Sequence, residues 1–155
     1  MKKILWALFI SMLPIIELRG AIPVAAAMEL PFWTTYAVCV VGNLIPVPFI
    51  LVLIKKIIHV MQNCKIGFFR KIADFIVRKG EKNKDKVTKY ATVGLMLFVA
   101  IPLPGTGAWT GALAAAMLDM KFKYAMLSIV LGVLIAGLIV SGISYGVLGF
   151  LSFLL

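Results

Sequence analysis

Acidic residues are scarce in this chain. Six of its 155 residues are Asp or Glu, and charged residues of both signs amount to 14%, where soluble domains carry roughly 25%. There is one histidine, His59, so a His-based metal site or a catalytic triad within one chain lacks its parts. The two cysteines, Cys39 and Cys64, fall in an apolar run and in a basic block, which excludes a disulfide framework and fits no metal-ligand spacing. No nucleophile, base and orienting group occur together, so no enzyme, cofactor or metal centre is expected. What is abundant is apolar surface: 63% of the residues are hydrophobic and the mean hydropathy is +1.07. A soluble domain of this size could not hide that much. The class that remains is an all-α integral membrane protein.

Five uncharged runs stand out: Ile4–Ile16, Gly20–Met28, Leu30–Ile54, Tyr90–Leu118 and Tyr124–Leu155. Only Leu30–Ile54 has the length of one tilted span, about 20 residues or a little more; Pro46 and Pro48 should kink it. As a straight helix Tyr90–Leu118 would reach roughly 43 Å, beyond a hydrocarbon core of about 30 Å. Its centre reads Pro102-Leu103-Pro104-Gly105-Thr106-Gly107, which no continuous helix tolerates. Two half-helices are predicted, Ala91–Ile101 and Ala108–Leu118. The N-terminal stretch has the same form: Ile4–Leu13 and Gly20–Met28 flank Pro14-Ile15-Ile16-Glu17-Leu18-Arg19.

The two broken stretches read as copies. Pro14 aligns with Pro102, and Ala25-Ala26-Ala27-Met28 with Ala114-Ala115-Ala116-Met117. Each is followed by a short turn and a long apolar helix, Leu30–Ile54 and Tyr124–Tyr145, so an internal repeat is expected. The chain then forms one membrane domain: repeat one over 1–54, a basic amphipathic segment over 55–89, and repeat two with an apolar tail over 90–155. Each broken stretch either spans as one interrupted helix or enters and leaves on one face as a re-entrant hairpin, which inverts the repeats. Lys2 and Lys3 against Lys121 and Lys123 leave the positive-inside rule undecided between these topologies.

Eleven of the 16 Lys and Arg lie between Lys55 and Lys89. Long apolar runs flank this block, so orientation by positive charge explains it better than nucleic-acid binding, and it should be cytoplasmic. Within it Ile57, Met61, Cys64, Phe68, Ile72 and Phe75 recur at helical spacing. Lys55, Lys56, Arg70, Lys71, Arg78 and Lys79 would then meet the cytoplasmic lipid surface, anionic lipids in particular, or serve orientation alone. Gly80–Asp85 reads as a solvated turn.

The polar residues at mid-depth carry the functional reading. A charge there costs at least about 2.5–3.5 kcal/mol, so Glu17 and Arg19 must face protein or water. Gly20 should open a half-helix whose free N–H groups, with Arg19 beside them, form an anion trap. Glu17, poised between burial and an arginine, can exchange a proton as substrate binds. The alternative is an ion pair that holds the broken segments together. In the second break Pro104, Gly105, Thr106 and Gly107, with Thr110, offer carbonyls, amides and hydroxyls to an ion or a polar substrate, or form only a tight turn. Asn43 is a further candidate in the long helix. Gly107/Gly111 and Gly142/Gly146 are GxxxG pairs that favour close helix contact.

The string Glu17-Leu18-Arg19-Gly20-Ala21-Ile22-Pro23, with Pro102-Leu103-Pro104-Gly105-Thr106-Gly107-Ala108-Trp109-Thr110-Gly111, resembles the small multidrug export protein family. That family is distantly similar to DedA-like membrane proteins, and the likeness implies re-entrant hairpins in inverted repeat. The second hairpin lacks the acidic residue and arginine that DedA-like proteins tend to carry. Three functions follow as expectations. The first is a secondary transporter or exporter of small molecules, proton-coupled and multi-pass in the cell membrane, with its site at the broken-helix tips. The second is a lipid-phosphate translocase. The third is a membrane scaffold that binds anionic lipid or a partner. A thin wall of helices around a pathway favours a homodimer.

Overall fold

The computed structural model describes residues 2–63, 84–103 and 105–154. The expectations for Cys64, Arg70, Lys71, Arg78, Lys79 and Pro104 lie outside the described residues, as does the side chain of Lys55. The described residues are helical and hold no strand. The helices are α1 (Lys2–Met12), α2 (Glu17–Ala27), α3 (Phe32–Leu44), α4 (Pro46–Asn63), α5 (Lys84–Ala100), α6 (Ala108–Met117) and α7 (Phe122–Leu154).

Proline writes the interruptions. Pro14 follows α1 and Pro102 follows α5, and each removes an N–H that a continuing helix needs. Only Ile45 separates α3 from α4, because Pro46 is tolerated as a first helical residue. The stretch Phe32–Ile54 is 23 residues with a mean hydropathy of 2.5, and Phe122–Val147 is 26 residues at 2.6; both are long and apolar enough to cross a membrane. α1 packs on α2 and α3, α5 on α7, α2 on α7 and α6 on α4. Lys3 Nζ donates to the Met28 carbonyl at 2.8 Å, so the start of α1 and the end of α2 share one face of the molecule.

Several local structures recur at a fixed spacing. α2 ends with Glu29 at φ 60° and α6 with Asp119 at φ 47°. Leu30 N–H donates to Ala25 O at 3.2 Å and Met120 N–H to Ala115 O at 3.0 Å. Each is the six-to-one bond of a Schellman cap, with a left-handed residue just past the helix. These equivalents stand 90 residues apart. Gly42 and Gly132 stand 90 apart as well. A Cβ on Gly42 would come within 2.7 Å of the Leu8 carbonyl, and one on Gly132 within 2.8 Å of the Met96 carbonyl. Each glycine lets a long helix lie directly on the first arm of its neighbouring broken pair. Leu8 and Met96 are 88 apart, like Pro14 and Pro102, so the second break is two residues longer than the first.

Boundaries differ from those expected. The identical Ala-Ala-Ala-Met strings are 89 apart, one out of step with the caps that the backbone forms. α2 starts at Glu17 and not at Gly20, so Glu17 and Arg19 belong to its first turn. α5 starts at Lys84, inside the stretch expected to be a solvated turn. α4 runs on to Asn63, and α7 continues through Gly146 and Gly149 to Leu154.

Candidate functional site

Glu17 is the first residue of α2, and its backbone is left-handed at φ 49°. That conformation costs a non-glycine residue roughly 1–2 kcal/mol. It stands three residues after Pro14, as Gly105, at φ 84°, stands three after Pro102. One break thus carries a glutamate where the other carries a glycine. Something must hold the glutamate there.

The holding contacts come from the far break. Glu17 Oε1 accepts the Trp109 backbone N–H at 3.1 Å, and the Ala108 amide also bonds the carboxylate. The N-cap of α6 is Gly107, which has no side chain to supply a cap. Glu17 supplies it from α2, placing a carboxylate on the positive end of α6. A Cβ on Gly107 would overlap that carboxylate, so glycine is needed for close approach. Trp109 braces the same junction: its Nε1 donates to the Met12 carbonyl at 3.2 Å, at the end of α1.

Arg19 does the complementary work. The last carbonyls of a helix have no internal donors, and the guanidinium reaches those that follow the end of α5. Nη2 bonds Val99 O at 3.2 Å, Ile101 O at 3.0 Å and Thr106 O at 2.9 Å, while Nη1 donates to Leu103 O. A cation thus meets the negative end of α5. Arg19 Nε is buried with no partner. Glu17 is 5% exposed and Arg19 half-buried. The two charges therefore clasp opposite helix ends in the second break. In this conformation the N-terminus of α6 holds the chain's own carboxylate, where the sequence had suggested an open anion trap at Gly20.

The other expected residues separate into groups. Thr106 Oγ1 lies 2.8 Å from Ile101 O and 3.0 Å from Leu103 O, and Thr110 Oγ1 donates to Gly107 O at 3.1 Å. Both hydroxyls stay within their own turn. Gly20 packs against the Ile16 side chain, inside α2. Gly111 lets α6 approach Val99, where a Cβ would stand 2.6 Å from Val99 Cγ2, whereas a Cβ on Gly142 or Gly146 would meet no atom of another element within 4 Å among the described residues. Asn43 is fully buried, and neither of its amide atoms has a partner. Lys56 is exposed.

Residues without charge complete the architecture. Ser11 Oγ donates to the Cys39 carbonyl. Tyr145 OH donates to Leu30 O and accepts from Thr35 Oγ1 at 2.7 Å. Single hydroxyls inside apolar runs were their only signal in the sequence.

Residues 17–139 match the family model described as "Putative small multi-drug export protein". The chain belongs to this family. The match begins at Glu17, the first residue of α2, and takes in the second break, α6 and the first half of α7. That description is consistent with a membrane exporter, as are two apolar helices of spanning length. No curated protein and no solved structure matches the chain.

Proposed function

We propose that this exporter is built from two re-entrant hairpins in inverted repeat, α1–α2 and α5–α6, and that proton exchange at Glu17 drives its transport cycle. In this reading the hairpins enter from opposite faces and meet at the membrane midplane. Phe32–Ile54 crosses inward and Phe122–Val147 crosses outward. Lys2 and Lys3 lie outside and residues 55–89 lie in the cytoplasm, where Lys55, Lys56, Arg70, Lys71, Arg78 and Lys79 face anionic lipid. The equivalences at 88 and 90 residues support the repeat.

The observation that carries the functional reading is the Glu17 carboxylate on the N-terminus of α6. An ionised carboxylate suits that position, because its charge opposes the helix dipole. A protonated carboxyl loses that attraction and carries a hydrogen that the α6 amides cannot accept. Proton binding therefore releases the tip of α6, whose N–H groups, with Thr106 and Thr110, become free to meet a polar group of the substrate. Arg19 keeps the end of α5 in place while this happens.

The test is transport in proteoliposomes loaded with ethidium, a small fluorescent drug-like dye. An imposed pH gradient drives dye flux in the wild type. Glu17→Gln abolishes it at a lowered but still cooperative unfolding temperature, since glutamine offers one oxygen to the Trp109 amide but has no charge for the helix end and cannot take up the proton. Undiminished gradient-driven flux in Glu17→Gln sinks the proposal.

A further inference from the structure

The interface between α3 and α7 carries a row of polar groups that the clasp does not use. The two helices run antiparallel: Phe32 meets Tyr145 edge to face with centroids 5.3 Å apart, and a Cβ on Gly137 would come within 2.9 Å of the Tyr36 ring. At the Lys3 end stand Tyr145 OH and Thr35 Oγ1. Tyr36 OH follows, donating to Leu134 O at 3.3 Å.

Two members of the row have no partner. Ser141 lies midway between Gly137 and Tyr145 on α7, one turn from each, and both of those touch α3. Its Oγ is buried and unpartnered. Asn43 lies three residues beyond Val40, which also faces Gly137. It extends the stripe Phe32, Tyr36, Val40 at helical spacing. Both of its amide atoms are buried and unpartnered. Gly42, its neighbour in the chain, abuts Ser11 in the last turn of α1. Asn43 therefore lies at the depth of the tips, where Met12 O meets Trp109.

A buried amide or hydroxyl left without a partner costs about 1–3 kcal/mol. Buried polar groups without a protein partner are characteristically met by internal water. We infer that a file of water, lined by Ser141 and Asn43, runs along the α3–α7 seam beside the close contact at Gly137 and carries protons between the Lys3 face and Glu17. Its proton-carrying role rests on the proton-coupled reading above. The file's water content does not.

Few charges compete at that depth. The ionisable side chains of the helices packed on α2 are Lys2 and Lys3 at the start of α1, Tyr36 and Cys39 on α3, and Lys123, Tyr124 and Tyr145 on α7. Arg19 is the other charge beside Glu17, and α6 contributes only its amides.

Silver ion tests the file, being small enough to follow single water molecules and reactive with thiols. Asn43→Cys and Ser141→Cys are made in a Cys39→Ala, Cys64→Ser background and reconstituted in vesicles. Ag+ added on the Lys3 side should block later alkylation of both thiols. A thiol at the lipid-exposed Leu138 should stay unblocked. Free alkylation of both Asn43→Cys and Ser141→Cys after Ag+ treatment overturns the file. Asn43→Leu, which keeps the volume and removes the polar atoms, should lose gradient-driven ethidium flux. Wild-type flux in Asn43→Leu overturns the proton role. If wild-type flux ignores the pH gradient, the coupled transport reading fails, and the silver result still decides whether water fills the seam.

Discussion

Gly107 has no room for a side chain, because the carboxylate of Glu17 fills the space where one would begin. Gly107→Ala must push Glu17 off the α6 amides, losing charge-assisted hydrogen bonds of about 1.5–3 kcal/mol. Gly94→Ala is the contrasting variant. Gly94 lies within α5 with nothing within 4 Å of its Cβ position, and alanine there gains roughly 0.5–1 kcal/mol of helix propensity. Thermal unfolding in detergent should show Gly107→Ala well below wild type and Gly94→Ala at or above it. At this scale the sequence exposed one side of each contact. Glu17 and Arg19 stood out as charges in an apolar run. Their partners did not, because backbone amides at Ala108 and Trp109 and carbonyls from Val99 to Thr106 have no side-chain signature. Asn43 and Thr110 looked alike as isolated polar residues, yet Thr110 bonds its own turn and Asn43 has no partner at all.

Among the helices, Gly42 and Gly132 fix how closely each long helix lies on the arm beside it. Gly42→Val and Gly132→Val each drive a branched side chain into a backbone carbonyl that cannot move away. Both should lower the unfolding temperature by similar amounts, since overpacking of this kind costs about 1–3 kcal/mol. Gly146→Val, on an open face of α7, should change it little. Unequal effects at Gly42 and Gly132 would argue against treating the two packings as equivalents. The breaks themselves were legible, since proline cannot continue a helix at Pro14 or Pro102. Their register was not. The Ala-Ala-Ala-Met strings invited an alignment at 89, whereas the caps at Glu29 and Asp119 set it at 90. Composition draws the eye to identical letters, but a cap is decided by the backbone hydrogen bonds that close it. Helix ends followed the same logic: α2 extends back to Glu17 because that side chain is held by α6, a contact across more than 90 residues.

For the whole molecule, the hairpin reading makes a statement about sides. Lys3 shares a face with Met28, and Lys121 follows the cap that ends α6. In cells, a membrane-impermeant maleimide should label Lys2→Cys from outside and reach Lys121→Cys only after permeabilisation, each in a background without Cys39 and Cys64. Labelling of Lys121→Cys in intact cells would mean that the broken stretches span. The clasp also sets the order of biogenesis. Glu17 and Arg19 leave the ribosome some 80 to 90 residues ahead of everything they bind in the second break. At a synthesis rate of about 5–20 residues per second, that interval is roughly 4–18 seconds. During it, the two charges have only each other, and none of the helix-end amides and carbonyls they bind in the finished chain. In the hairpin reading, the first broken pair therefore waits, shallow or sheltered by the insertion machinery, until the second arrives, and the two halves reach their final depth together.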